Sequence, residues 1–313
     1  MSGNRMQFFG VLCLVFSFNG CEARSVPVRG IANGTHGDKE VKSPEMIYVP
    51  AGKFQRDGSP SNVAEVDDFL ISKYEISREL YIEVTGQGYV GRFGSIDGAP
   101  IDGVSWYDAL MFCNELSVIT GKTPVYSIQD ENDGTYRTDQ WGPIPDEASL
   151  RWDTVRIDRG ASGFRLPTVD EWMWAAMGAT AGKYFPMVIL EREEFSDGVY
   201  RSGYMKPGAL GYMPEMSQAN AGRFGWYSTN SKNRLNPSGR REANCLGIYD
   251  MSGNLQEWCQ DVHQTIKTEN VVKRICKGGS WKKGSPHMAL RHASSCEPWV
   301  REETCGLRLV CRP

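Results

Sequence analysis

Hydrophobic and polar positions along this chain fall into many short patterns and few long ones. Met46-Ile-Tyr-Val-Pro-Ala-Gly-Lys-Phe predicts a first strand running into a Gly turn. Phe69-Leu-Ile-Ser-Lys-Tyr-Glu-Ile predicts another, followed by a short helix opening at Ser77. A clearer helix opens at Ser105, with Asp108 in the reciprocal capping position. Ala109, Phe112, Cys113 and Leu116 then recur at helical spacing, and Gly121 ends the run. Thr168-Val-Asp-Glu171 is a second capping box, opening a helix through Trp172-Met-Trp-Ala-Ala to Gly178. Between these helices, about Ser127 to Ser162, polar and turn-forming residues dominate, so the stretch reads as a surface insertion. Gly306-Leu-Arg-Leu-Val-Cys alternates and suits a final strand. Short helices among short strands and long loops predict an α+β fold with low regular secondary structure.

The N-terminus follows a different pattern. Arg5 precedes the apolar run Phe8–Phe18, which matches a signal-peptide core and is too short to span a bilayer as a helix. Phe18-Asn-Gly-Cys21 reads as a loose lipoprotein processing box, making 1–21 the signal and Cys21 the lipidated first mature residue. A plain secretory signal with an incidental Cys is the other reading. Residues 22–45 form a polar tether, and the domain occupies 46–313. The expectation is an exported cell-envelope lipoprotein on the outer-membrane surface, touching membrane only through its lipid anchor.

Composition narrows the picture. With 313 residues, 40% hydrophobic and 23% charged, the chain can bury one large core or two small ones. A net charge of -3 gives no basis for a nucleic-acid partner. The 34 Gly permit a loop-heavy fold, and the 9 Trp supply apolar area without long regular elements. Export also changes the reading of Cys113, Cys245, Cys259, Cys276, Cys296, Cys305 and Cys311. Some of them pair in an oxidising compartment, their odd number leaves one free, and connectivity stays open. The 4 His are His36, His263, His287 and His292, with no third ligand at metal spacing beside the last two. No nucleophile elbow or phosphate loop is present.

Certain longer segments go further, in this order: Pro100-Ile-Asp-Gly-Val-Ser-Trp-Tyr-Asp-Ala, Gly163-Phe-Arg-Leu-Pro-Thr-Val-Asp-Glu-Trp, Leu246-Gly-Ile-Tyr-Asp-Met-Ser-Gly-Asn-Leu-Gln-Glu-Trp, and Lys277-Gly-Gly-Ser-Trp with Gly306-Leu-Arg-Leu. Each has a folding role of its own: Pro167 restricts the chain before the Thr168 cap, and Gly278 and Gly279 allow close backbone approach beside Trp281. Together, from about Met46 to the end, they resemble the formylglycine-generating-enzyme (sulfatase-modifying factor) family, whose fold is an elaborated C-type lectin domain. The resemblance implies a structural calcium site at Asp250, Gly253, Leu255 and Glu257, from two carboxylates and two carbonyls. A hydrogen-bonded turn without metal is the alternative. The family's second calcium site would begin at Asn220-Ala221, but no downstream Asp completes it. The resemblance also brings Cys113 near Cys311, because a family disulfide links neighbouring positions, although Cys311 is offset by two residues.

In the catalytic branch of that family, two cysteines after the Gly-Gly-Ser-aromatic motif bind copper and oxidise a sulfatase cysteine. The matching positions here are Lys283 and Met288, neither of which supplies the thiolate that Cu(I) requires. No copper, no catalytic residue and no turnover are therefore expected. Another branch uses iron-binding histidines in an added helical domain, for which this chain has no room.

The stretch Trp281–Cys305 keeps family landmarks on both sides and Arg291 inside, while its interior has neither helical nor strand period. It reads as loop on a rigid base, where binding residues concentrate. This arrangement resembles the variable proteins of diversity-generating retroelements, the exported treponemal type in particular, with a variable region at about 274–313. The resemblance implies ligand contacts from Lys282, Lys283, Gly284, Ser285, His287, His292, Ser294, Ser295, Cys296, Glu302, Glu303, Thr304 and Cys305. Trp281 and Trp299 would be aromatic anchors. The expected function is non-catalytic binding of an unidentified protein or glycan. The alternatives are a divergent formylglycine-generating or related oxidative enzyme acting on a sulfatase-like cysteine, and an accessory envelope lipoprotein without a dedicated ligand.

Overall fold

The computed structural model describes residues 41–57, 59, 61–88, 96–128, 138–179, 184, 185, 188, 189, 193, 194, 199–201, 222–244, 246–263 and 272–313. The signal, Cys21, the tether to residue 40 and Asn220-Ala221 lie outside these residues.

In chain order the strands and helices are β1 (Met46–Val49), β2 (Gly52–Gln55), β3 (Val63–Val66), β4 (Phe69–Ser72), α1 (Arg78–Thr85), α2 (Trp106–Ile119), β5 (Tyr126–Ser127), α3 (Leu150–Asp153), β6 (Arg156–Ile157) and α4 (Val169–Ala176). They continue with β7 (Tyr184–Phe185), β8 (Val188–Ile189), β9 (Glu193–Glu194), β10 (Val199–Arg201), β11 (Gln256–His263), β12 (Lys273–Lys277), β13 (Ser294–Cys296), β14 (Cys305–Gly306) and β15 (Val310–Cys311). The fold is α+β with modest regular structure, as the sequence predicts.

The two ends of the domain share a sheet. β4 lies between β1 and β15, antiparallel to both. A second sheet orders β13-β12-β11-β14 and carries the C-terminal loops. In it β11 pairs antiparallel with β12 and parallel with β14. A third sheet orders β3-β2-β10-β9.

All three expected helix starts are realised with their caps. Ser77 Oγ accepts from Leu80 N at the start of α1. Ser105 and Asp108 form a full capping box on α2, and Thr168 and Glu171 form one on α4. These caps satisfy N–H groups that each helix leaves unpaired. Asp108 also accepts a two-point ion pair from Arg301 at 2.7 and 2.9 Å, so the α2 cap is tied to the C-terminal loop.

Tryptophans fill the core where regular elements are short. Trp106, Trp141, Trp172, Trp174, Trp258 and Trp281 are fully buried. Their ring nitrogens knit separate elements: Trp258 Nε1 donates to Val104 O at 2.9 Å, and Trp106 Nε1 returns to Cys259 O at 3.1 Å. Arg274 lies over the Trp106 ring with its guanidinium carbon 3.8 Å from the centroid.

Some expectations need correction. The 127–162 stretch is more than a surface insertion: Trp141 and Trp152 are buried in the same cluster as α2, and β5 pairs with β6. The ordered body begins before Met46, because Val41 is buried in that cluster too. The single final strand is split into β14 and β15, and every residue from Gly306 to Cys311 is buried. The alternation there misleads because Arg308 faces the interior, where it has a partner. Cys113 and Cys311 are both buried in the cluster of α2.

Replacing Ser105 by Ala removes only the cap and is expected to cost about 1 kcal/mol in urea unfolding. Asp108→Ala should cost more, because it also leaves Arg301 without its carboxylate.

Candidate functional site

The base of the candidate surface is held by a buried ion pair. Glu257 on β11 and Arg308 are both fully buried, 2.7 Å apart at their closest. Arg308 Nε and Nη2 donate to Glu257 Oε1 at 2.9 and 2.7 Å, and Nε also reaches Oε2 at 3.0 Å. Trp172 Nε1 donates to Oε2 at 2.7 Å. The remaining guanidinium donors go to the carbonyls of Ser72 and Tyr249, both at 2.8 Å.

This arrangement bears on the implied calcium site. Glu257 accepts three N–H groups over four contacts, the Arg308 Nε hydrogen being shared between its two oxygens, so both oxygens are engaged. Asp250 has one oxygen on Gly239 N at 2.6 Å, while its Oδ1 is buried without a hydrogen-bond partner among the described residues. Nearby, Glu75 accepts from Asn254 Nδ2 at 2.7 Å, Leu255 N at 2.9 Å and Ser238 Oγ at 3.0 Å. Burial, with Asp250 and Glu257 close by, pushes the Glu75 carboxyl well up. Burial likewise pushes Asp250 up to about 6. Asp250, Gly253 and Leu255 lie in the buried turn before β11 and Glu257 on β11 itself, and a calcium ion held there would compete with Arg308 and Trp172 for the Glu257 oxygens. Arg308 occupies the role of cation to Glu257.

From this base the backbone is stitched by short, constrained turns. Asn254 adopts φ 57, and its carbonyl accepts from Trp281 N at 2.8 Å while its N–H donates to Trp226 O at 2.8 Å. Gly279 has φ 71, and a Cβ there would meet His287 O at 2.8 Å, so only Gly fits. The Lys277 ammonium is buried beneath the loop and donates to Leu290 O and, at 2.7 Å, to His292 O. Burial pushes its amine down to about 8.

The expected contact residues divide sharply by burial. Lys282, Lys283 and Glu302 are exposed. Gly284, Ser285, His287, His292, Ser294, Ser295, Trp299 and Glu303 are half-buried at the same surface. Trp281, Cys296, Thr304 and Cys305 are buried and are not displayed. Trp281 packs with Ala99, Leu235 and Leu255, so it is a pillar of the base and not an anchor for ligand. Cys305 Sγ sits 3.6 Å from Cys276 Sγ, and burial pushes both thiols up, away from thiolate. Met288 is buried against Gly225 and Gly253, while Lys283, the other position matched to a copper ligand, faces solvent.

Sequence reasoning missed Gln256, which accepts from Ser294 Oγ at 2.6 Å and donates to Glu302 at 3.4 Å under the loop. It also missed the positioning roles of Lys277 and Arg301. The signal was present for Lys277, since it heads the Gly-Gly-Ser-Trp motif. His287 and His292 form a T-shaped pair with centroids 4.6 Å apart. Burial, then His287, Lys277, Lys283 and Arg291, hold His292 below its ordinary value.

Comparison with known proteins gives the site its relatives. Residues 33–313 match the family model described as sulfatase-modifying factor enzyme 1-like domain. The chain is 33% identical over 255 residues to the chaperone protein LppX of Paenibacillus barcinonensis, covering 80% of this chain and 82% of that protein. It is 25% identical to the formylglycine-generating enzyme of Thermomonospora curvata, over 83% of this chain and 88% of the enzyme. Among solved structures it superimposes on Treponema denticola variable protein 1 with a TM-score of 0.66 and 27% identity, covering 90% of this chain and 98% of that one.

Lys277→Met should leave two loop carbonyls unpaired, costing about 1–3 kcal/mol and speeding amide exchange across residues 287–293. Chelation should leave the melting temperature unchanged, whereas Arg308→Met should destabilise by about 3–5 kcal/mol because Glu257 is stranded. For His292 the folded value is depressed, so the unfolded chain takes up the proton first. Its contribution is complete above the ordinary value of 6.5 and declines as pH falls below it. Loop protection should therefore weaken from pH 7 to 5, and His292→Gln should flatten that dependence.

Proposed function

The chain belongs to the sulfatase-modifying factor enzyme 1-like family, and from that premise we propose that it uses the family scaffold to bind and not to catalyse. It is an exported, lipid-anchored protein of the cell envelope, with Cys21 as the acylated residue. Its ligand, a protein or a glycan, meets the exposed and half-buried side chains between about residues 281 and 305. A retroelement diversifies those positions. The observation that carries this reading is the separation of roles at the site. Lys277, Gly279, Trp281 and the Glu257–Arg308 pair hold the backbone from below, while the side chains of Lys282, Lys283 and Glu302 are exposed above it, Lys282 in a surface ion pair with Glu303 at 2.8 Å. The absence of turnover is supported by the buried Met288 and exposed Lys283, which offer no thiolate pair at the surface.

The likeness to a protein named as a chaperone favours a second reading, an accessory protein that assists the folding of an exported partner. In that case deleting this chain would lower the yield of a specific exported protein, and exchanging Lys282, Lys283 and Glu302 would not change what is bound.

On the primary reading, single substitutions at Lys283 or Glu302 should shift stability by no more than about 0.5 kcal/mol. Trp281→Ala should cost about 3–5 kcal/mol. A library varied only at the exposed loop positions should yield folded proteins with new binding specificities; a library that largely fails to fold contradicts the reading. The coding DNA should be accompanied by a reverse transcriptase and a template repeat differing at adenines, and their absence removes the retroelement. Incubation with a sulfatase-type peptide, copper and oxygen should give no aldehyde, and aldehyde formation overturns the non-catalytic assignment.

A further inference from the structure

Beside the loop surface lies an open cleft of about 910 Å³, lined from within residues 222–230, by residues 239–243 and by Tyr249, outside the Trp281–Cys305 stretch. Its wall is continuous with the loops: Ser228 N donates to Lys283 O at 2.9 Å, and Ser231 Oγ donates to Trp281 O at 2.8 Å. Three arginines line it against one lining carboxylate, Glu242, with the buried carboxylate of Asp250 behind Gly239 acting on Arg241, so the cleft keeps a net positive lining. Arg223 pairs with Glu242 at 2.8 Å, which neutralises one of them. Arg240 is exposed and Arg241 half-buried, and neither has a carboxylate ion pair among the described residues.

Arg241 is held in a particular way. Its guanidinium carbon lies 3.5 Å from the centroid of the Trp226 ring, so its face is occupied by an aromatic surface. Its Nε is buried without a hydrogen-bond partner among the described residues. A stacked guanidinium retains donors along its edge, in a planar fork that matches a planar oxyanion.

The rest of the lining says what carries that oxyanion. Gly222, Gly239 and Ala243 keep the floor low, Thr229 offers an exposed hydroxyl, and Tyr249 is fixed by stacking on Tyr74 at 5.1 Å. Among the described residues no aliphatic side chain larger than Ala lines the cleft, which favours a polar ligand over a peptide's apolar side chain. Tyrosine rings, hydroxyls and amides beside unpaired arginines suit a polyhydroxylated ring bearing a carboxylate. The volume exceeds the needs of a single small anion and falls in the range of a ligand site.

We propose that this cleft binds the uronate residues of an acidic polysaccharide, with Arg240 and Arg241 as the carboxylate receptors. The assignment stands independently of the loop-binding reading, because none of its residues lies between 281 and 305.

The test is calorimetric titration of the full chain with an oligogalacturonide. A neutral galactan oligosaccharide, a sulfated galactan oligosaccharide without uronate and a poly-glutamate peptide serve as the comparison ligands. The oligogalacturonide should bind, more weakly as salt rises, and the neutral sugar should not. Arg240→Glu lies at an exposed position, so the melting temperature should hold while affinity falls roughly tenfold or more. Arg241→Lys should weaken binding too, since an ammonium lacks the planar fork. Lys283→Ala should leave uronate affinity intact, which separates this cleft from the loop surface. Absence of uronate binding, or binding indifferent to Arg240→Glu, overturns the proposal. Equal or tighter binding of the sulfated galactan overturns the carboxylate, and equal or tighter binding of poly-glutamate overturns the sugar.

Discussion

Glu257 and Arg308 form the contact on which the rest of this architecture depends. Glu257 belongs to β11 in the sheet below the loops, and Arg308 stands between β14 and β15. Through Ser72 O the guanidinium reaches β4, through Tyr249 O the loop of Asp250, and through Glu257 the Trp172 ring of α4. One buried group therefore joins both C-terminal sheets and a helix. Burying two charges costs several kcal/mol per ion, and only complete pairing offsets it. Here both carboxylate oxygens are engaged, so an added ion would have to compete for them.

That constraint explains how the surface above it can be permissive. The loop backbone is set by groups that never face solvent: Lys277 beneath the loop carbonyls, Asn254 between Trp226 and Trp281, and Gly279 where only hydrogen fits. Side chains pointing outward contribute little to that geometry. On the proposed reading, stability and recognition reside in different atoms of the same segment, the physical condition for changing one without losing the other. The cysteines at the base follow the same division, since Cys276 and Cys305 touch in the interior with raised thiol values and are withdrawn from surface chemistry.

Family membership adds a scaffold but not a reaction. The proteins similar to this chain include ones named as an enzyme and a chaperone, by sequence, and a variable protein, by structure as well. Function on such a fold follows from the groups grafted on its surface. In this chain those groups are a mixed-charge loop face and an adjoining arginine cleft, where the catalytic branch would need paired thiolates.

The local decisions were legible in the sequence. Ser77, Ser105 and Thr168 start helices because a side-chain oxygen satisfies a backbone donor within one turn, joined at Ser105 and Thr168 by the carboxylate three positions on, and no distant residue is needed. The motif order identified the family for the same reason, since those motifs encode turns and close approaches. Burial was decided only by the tertiary structure. Trp281, Cys296, Thr304 and Cys305 lie in a loop-like stretch and still sit inside, because β11, β12 and the Asn254 turn close over them. Arg308 looked like the polar position of an alternating strand, and became interior because Glu257, 51 residues away in sequence, stands opposite it. Partners that far apart leave no periodic trace. A charge with a partner can therefore be buried where its pattern predicts exposure, and that is how the expected calcium ligand became one half of an ion pair.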